Sequence, residues 1–397
     1  MAMFSMPSFT FAKVPPLYFG PGQITQLPTL IQQREGTHLL LVTGQRSLQA
    51  SGQLNRVKTL LAEAGLQVQL VTCPGEPTTH FIDDTCNRCR GRNIDVVVAI
   101  GGGSVVDAGK ALSAMLPHDN SILDHLEGVG KGIPHSGKKL PFIAVPTTSG
   151  TGGEVTKNAV ISKVGEAGYK KSLRHENLVP DAVIVDGDLL VHCPQSVTAA
   201  CGLDAFTQLV EPYLSPTATP LTDAIAWSGL EAFKASFLAA CNEGAADPQV
   251  REGMAYASLM SGIALANAGL GIVHGLASPL GGYFPIPHGV ACGTVVAIAL
   301  KTNWQALKAR SRDSPAIAKM VRIGKLLSGA AGRSEDWYGQ ACGEILHDWT
   351  LQLEIPRLGV YGIQASDLDK VLDSTRNRNN PVALSRDEIS GILQARL

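Results

Sequence analysis

The sequence predicts a doubly wound α/β domain, with a parallel sheet covered by helices on both faces, followed by an all-helical domain. Three observations carry this. The chain has 397 residues, more than a single domain usually spans. Short runs rich in Val, Ile and Leu alternate with helical stretches through the first half. After about Val191 those runs fade, and Ala-, Leu- and Gly-rich helical patterns take over.

Candidate strands lie at 38–42, 68–71, 95–100, 142–145 and 182–185. Residues 52–64, between the first two, place Leu54, Val57, Leu60 and Leu61 at helical spacing. Strands apolar on both faces and separated by helices argue for a parallel sheet. Its ligands belong at the C-terminal ends of the strands. Helices follow at 198–213, 220–241, 248–268, 289–303 and 315–330. A turn near Pro194 marks the boundary, giving domains of 1–191 and 192–397.

Charge excludes several classes of partner. The 33 Lys and Arg against 34 Asp and Glu leave the chain near neutral, and its longest basic stretches are pairs such as Lys138 and Lys139. No nucleic-acid partner is expected. Residues 253–300 contain no Asp, Glu, Lys or Arg, yet prolines, glycines, Asn267, His274 and His288 interrupt them. No membrane span is expected there, and the stretch reads as buried helices around a site. The first 22 residues lack the basic-then-apolar pattern of a signal peptide. Eight cysteines without regular spacing read as reduced thiols, so the expected location is the cytoplasm. Cys86 and Cys89 form a C-x-x-C without the second pair a zinc site wants, and read as two thiols one helical turn apart.

Two glycine-rich loops follow successive strands. Residues 95–100 run into Gly101, Gly102, Gly103, Ser104, Val105, Val106 and Asp107, a glycine turn that opens a helix at 105–114. Such a turn lets backbone N–H groups approach a pyrophosphate, although G-x-G-x-x-G is absent and a plain tight turn would look similar. The second loop, Pro146 to Glu154, reads PTTSGTGGE and makes a polar wall suited to a ribose or a nicotinamide amide. Together they point to a nucleotide cleft.

In the helical half, Asp204, His274 and His288 stand out against apolar surroundings. Buried carboxylates and imidazoles are costly unless paired, hydrogen-bonded or bound to metal. One carboxylate and two imidazoles suit Zn²⁺ or Fe²⁺ as a ligand set; they suit a hydrogen-bonded core cluster as well.

These motifs, in this order, resemble the iron-containing (group III) alcohol dehydrogenases of the dehydroquinate synthase-like superfamily. The resemblance runs from about Val14 to Arg396, through GGGSVVD (101–107), PTTSGTGGE (146–154), GLDAFTQ (202–208), NAGLGIVHG (267–275) and PHG (287–289). It implies an NAD- or NADP-dependent enzyme with its active site between an N-terminal dinucleotide-binding domain and a helical domain. Gly102, Gly103 and Ser104 would meet the pyrophosphate. Thr147, Thr148 and Thr156 would line the ribose and nicotinamide side, and Lys170 would contact the cofactor. Gly44, Asp107 and Leu189 complete the implied cofactor set. Asp204, His274 and His288 fall on three of four metal-ligand positions, and homodimers are common among relatives.

Three departures accompany the resemblance. The fourth ligand, normally a histidine one helical turn after the aspartate, is Gln208, a weaker donor for Zn²⁺ or Fe²⁺. Ser278 stands where many relatives carry a histidine near the substrate. After the strand at 39–42 the chain reads Thr43, Gly44, Gln45, Arg46, Ser47, with no aspartate to repel a 2′-phosphate, so NADP is expected to be accepted.

The implied reaction is metal-assisted hydride transfer between the nicotinamide and a small to medium primary alcohol or aldehyde. The neutral pocket candidates Phe206, Ser278, Tyr283 and Phe284 suit such a substrate. One rival is a metal-independent reductase resembling maleylacetate reductase, with His274 or His288 as the acid. A remoter one is a sugar-phosphate lyase of the dehydroquinate synthase type, which needs basic residues that 253–300 does not supply.

Overall fold

The computed structural model describes residues 8–397. Its first half contains strands β1 (Leu17–Phe19), β2 (His38–Gly44), β3 (Gln67–Cys73), β4 (Val96–Gly101), β5 (Phe142–Pro146), β6 (Asn158–Lys163), β7 (Tyr169–Arg174) and β8 (Ala182–Val185). Interspersed are helices α1 (Leu27–Gln32), α2 (Ser47–Ala50), α3 (Gln53–Glu63), α4 (Thr79–Cys89) and α5 (Gly103–Met115). Six strands form one parallel sheet in the order β1-β8-β5-β4-β2-β3.

Alternation along the strands fills two separate cores. Leu40, Val42, Val97 and Ala99 point to one face, and Leu39, Leu41, Val96 and Val98 to the other. A sheet buried on both sides has no polar face, which is why its strands read as continuous apolar runs. From β2 the chain moves outward to β3, then returns to β4 on the other side of β2 and continues to β5 and β8. The reversal opens a crevice beyond the C-terminal ends of β2 and β4, where Gly44 and Gly101 lie.

Two features of the strands were not anticipated. β1 is a three-residue edge strand, too short to leave a pattern. β6 and β7 form a separate antiparallel hairpin, whose second strand, YKKSLR, has little apolar alternation. The thiols of Cys86 and Cys89 on α4 are buried and unpaired, and Gln69 Nε2 donates to Cys89 Sγ at 3.1 Å.

The second half is helical: α6 (Gln195–Leu214), α7 (Pro220–Cys241), α8 (Pro248–Ala268), α9 (Ile272–Tyr283), α10 (His288–Arg310), α11 (Pro315–Ser328), α12 (Glu335–Gln352), α13 (Leu368–Ser374) and α14 (Arg386–Gln394). α6 packs against α7, α8 and α10 and is buried over most of its 20 residues. Its Phe206 ring lies 4.9 Å from that of Phe233, tilted by 39°, inside this core. No single helix among the described residues is long and apolar enough to cross a membrane. The uncharged stretch 253–300 falls on α8, α9 and α10, with a bend of 100° between the first two.

Candidate functional site

The glycine turn after β4 opens α5, and the loop after β5 lies against it. Thr147 N–H donates to the Gly101 carbonyl at 2.9 Å. A Cβ on Gly103 would come within 2.8 Å of Thr151 Oγ1, so the two loops meet at a distance only glycine permits. Lys110, fully buried on α5, clips them together. Its Nζ donates to the carbonyls of Gly153 (2.7 Å), Thr156 (2.8 Å) and Asn158 (2.8 Å), and to Thr156 Oγ1 (3.1 Å). Burial lowers this ammonium to about 8, partly countered by Asp107 and Glu154. Burial likewise raises Asp107 to about 6. The sequence reading passed over Lys110; a lysine in an apolar helix was the available signal.

The helical half closes over these loops. Gly152 takes a left-handed φ of 56°, and a Cβ on Gly262 of α8 would sit 2.2 Å from its carbonyl oxygen. Gln208 of α6 donates through Nε2 to the Gly150 carbonyl at 3.1 Å. Between the halves lies a cleft of about 260 Å³ lined by Gly103, Ser104, Asp107, Thr156, Lys170, Gln208, His274, Ser278 and His288. It continues past Gly102, Thr148, Asp204 and Phe284. Lys170 Nζ pairs with Glu76 at 2.5 Å, and the ammonium holds that carboxyl below its usual range despite burial.

At the inner end, three elements converge. α6 supplies Asp204, α9 supplies His274 near its start, and α10 begins with His288. The Nε2 atoms of His274 and His288 lie 3.3 and 3.8 Å from Asp204 Oδ1. Neither is aligned to donate, so this buried oxygen has no hydrogen-bond partner among the described residues, and neither has His288 Nδ1. Burial opposes the charge on Asp204, but the two imidazoles outweigh it and hold the carboxyl below its ordinary value. Burial lowers His288 to about 4, against the pull of Asp204. His274 Nδ1 is 2.7 Å from Glu211 Oε2, which fixes the ring so that Nε2 faces Asp204. Cys292 Sγ lies 3.7 Å from His274 Nε2 and 3.9 Å from His288 Nε2. Sequence reasoning missed Glu211 and Cys292. Helical spacing was the signal, since Glu211 is seven residues after Asp204 and Cys292 four after His288.

The donor set fits a divalent cation: a buried carboxylate oxygen without a hydrogen bond faces two imidazole nitrogens, one oriented by a second carboxylate.

Some expected residues lie elsewhere. Leu189 is buried in the core beneath the sheet, because its 3-10 turn packs inward after β8. Phe206 fills the helical core, and Tyr283 turns away to bond Ser374 Oγ at 2.7 Å, so neither lines the cleft. Thr147 joins the loops through its backbone, and Gly44 sits at the end of β2, beyond the cleft wall.

The profile described as "Iron-containing alcohol dehydrogenase" matches residues 15–187, and "Fe-containing alcohol dehydrogenase family, C-terminal" matches 198–397. The chain belongs to the iron-containing alcohol dehydrogenase family. Alcohol dehydrogenase 4 of Saccharomyces cerevisiae is 30% identical over 397 residues, covering 98% of this chain and 99% of the relative. An NADPH-dependent butanol dehydrogenase from Clostridium saccharobutylicum is 30% identical over 392 residues, 95% of each. The crystal structure of a 1,3-propanediol oxidoreductase superposes with a TM-score of 0.86 at 29% identity, covering 98% of this chain and all of that one. Family membership brings the general activity, NAD(P)-dependent oxidation of an alcohol or the reverse.

Proposed function

We propose that this chain interconverts a small to medium primary alcohol and its aldehyde with NADP or NAD, using a divalent metal held by Asp204, His274 and His288, with Gln208 beside them. The observation that carries this is the convergence of those three donors at the inner end of a cleft whose opposite wall is the glycine turn of α5. When bound, the metal supplies a Lewis acid for the substrate oxygen, and the nicotinamide is the hydride partner.

The protein's own groups do the rest. Backbone N–H groups at the start of α5, including those of Gly103 and Ser104, suit a pyrophosphate. Thr148 offers its hydroxyl to the ribose and nicotinamide side, Thr156 lines the same cleft with its hydroxyl held between Lys110 and the Gly153 carbonyl, and Lys170 reaches the cleft in its ion pair with Glu76. Asp107 supports the floor beneath that turn. Ser278, exposed on the cleft wall, is the hydroxyl placed to pass a proton between substrate and water. Leu265, Leu270 and Phe284 give the lining an apolar part suited to an alkyl chain, and relatives named for butanol and 1,3-propanediol support the same reading. The division at 191/192, a homodimeric assembly and a cytoplasmic location belong to the same proposal.

Acceptance of NADP rests on Gly44, where an added Cβ would meet only Val105 Cγ2 at 3.8 Å, and on the exposed Arg46 and Ser47 beyond β2. The sugar-phosphate lyase reading is disfavoured, because Lys170 is already paired and Lys110 is spent on carbonyls. The test is reduction of straight-chain aldehydes with NADPH and with NADH. Turnover with NADPH at least equal to that with NADH is expected. No turnover with either would defeat the reading, and turnover confined to NADH would defeat its NADP part.

A further inference from the structure

The proposed metal centre lacks the imidazole that would complete it on α6, where Gln208 stands. Gln208 is moreover held through its amide nitrogen by the Gly150 carbonyl. The first turn of α10 offers a different donor. Cys292 follows His288 by one turn, so both side chains leave the same face of the helix. Its sulfur is buried, faces His274 and His288, and belongs with them and Asp204 to a group whose ligand atoms all lie within 4.8 Å of one another.

The spacing of that group is informative. Bond lengths typical of zinc place tetrahedral neighbours about 3.3 Å apart for nitrogen and oxygen, and about 3.6 Å for sulfur and nitrogen. The observed separations are 3.3 and 3.8 Å from Asp204 Oδ1 to the two Nε2 atoms, and 3.7 and 3.9 Å from Cys292 Sγ to the same atoms. The Cys292 thiol is within hydrogen-bond reach of both Nε2 atoms, but hydrogen bonding leaves the buried Asp204 Oδ1 at their centre without a partner. Four donors around a common centre account for both facts.

We propose that Cys292 is the fourth protein ligand of the metal, its thiolate replacing the imidazole that Gln208 cannot supply. On binding, the Sγ–H bond breaks, the proton leaves to solvent, and sulfur donates its electron pair to the cation. A thiolate beside two imidazoles and a carboxylate moves the preference from Fe²⁺ toward Zn²⁺. The proposal rests on the metal-dependent reading above, and the following experiment separates the two.

The metal is replaced with Co²⁺ in the full-length protein and the absorption spectrum is recorded. The proposal expects visible cobalt ligand-field bands together with a near-ultraviolet sulfur-to-cobalt charge-transfer band. Cys292→Ser loses the charge-transfer band, keeps the ligand-field bands and binds Co²⁺ at least about tenfold more weakly. Cys201→Ser, which removes another thiol near the cleft, keeps the charge-transfer band. Ligand-field bands without charge transfer in the parent protein would overturn the role of Cys292 and leave the metal centre standing. So would a charge-transfer band that survives Cys292→Ser. Failure of the parent to bind Co²⁺ at all would overturn the metal centre and the ligand together. If the Cys292 variant does not fold, absence of the charge-transfer band in the parent still overturns the role of Cys292, and so does its loss in Cys201→Ser.

Discussion

Glu211 governs which nitrogen of His274 faces the site, since its carboxylate takes Nδ1 at 2.7 Å and its other oxygen accepts the Val273 N–H at 2.7 Å. Removing such an orienting carboxylate typically costs about 10–100-fold in metal affinity. Glu211→Ala is therefore expected to weaken metal binding by that factor, measured by competition with a chelator; unchanged affinity would refute the orienting role. A second residue-scale prediction concerns pH. His135 donates from Nε2 to the Ala114 carbonyl (3.2 Å) and accepts the Gly137 N–H at Nδ1 (3.0 Å), so only the neutral ring satisfies both bonds. Burial, joined by His118, His125 and His175 and opposed by the Ala114 bond, lowers it from 6.5 to about 4. The unfolded chain thus takes the proton first as pH falls. Stability from this group is complete above about pH 6.5 and is lost as pH drops toward 4, by roughly 1–2 kcal/mol after solvent screening. Urea midpoints at pH 7 and pH 5 should differ less for His135→Gln than for the parent. An equal difference would contradict this assignment.

At the scale of elements, the site depends on α8 pressing the β5 loop toward α5. Gly262 makes this approach possible, because a Cβ there would meet the Gly152 carbonyl oxygen at 2.2 Å and Val155 Cγ2 at 2.7 Å. Gly262→Ala must displace the loop, at a cost of about 1–3 kcal/mol. A lower melting temperature and weaker NADPH binding, followed by nucleotide fluorescence, are expected together; unaltered nucleotide binding would show that the loop does not serve the cofactor. The sequence revealed the elements that bury two faces, such as β2 and β4, and the long helices α7 and α8. It hid α9, because Gly275, Pro279, Gly281 and Gly282 break the pattern of a helix that also carries His274. It hid β1 for want of length and the β6–β7 hairpin for want of alternation. Asp204, His274 and His288 were legible as polar groups in apolar runs. Glu211 and Cys292 left only the weaker signal of their helical spacing from Asp204 and His288, and their contacts emerged once α6, α9 and α10 were folded together.

At the scale of the whole molecule, two structures of different kind meet at one cleft. The parallel sheet ends in glycine turns open to a phosphate, and the helical half brings a buried carboxylate and two imidazoles to face them. The central claim is that a divalent metal at Asp204, His274 and His288 carries the reaction. The most direct measurement is NADPH-linked aldehyde reduction before and after metal stripping, with Zn²⁺ and Fe²⁺ restored separately. Activity is expected to be lost on stripping and recovered with one or both ions, and Asp204→Asn to recover with neither. Full activity in the stripped protein would contradict the central claim, and would make this chain a metal-independent reductase.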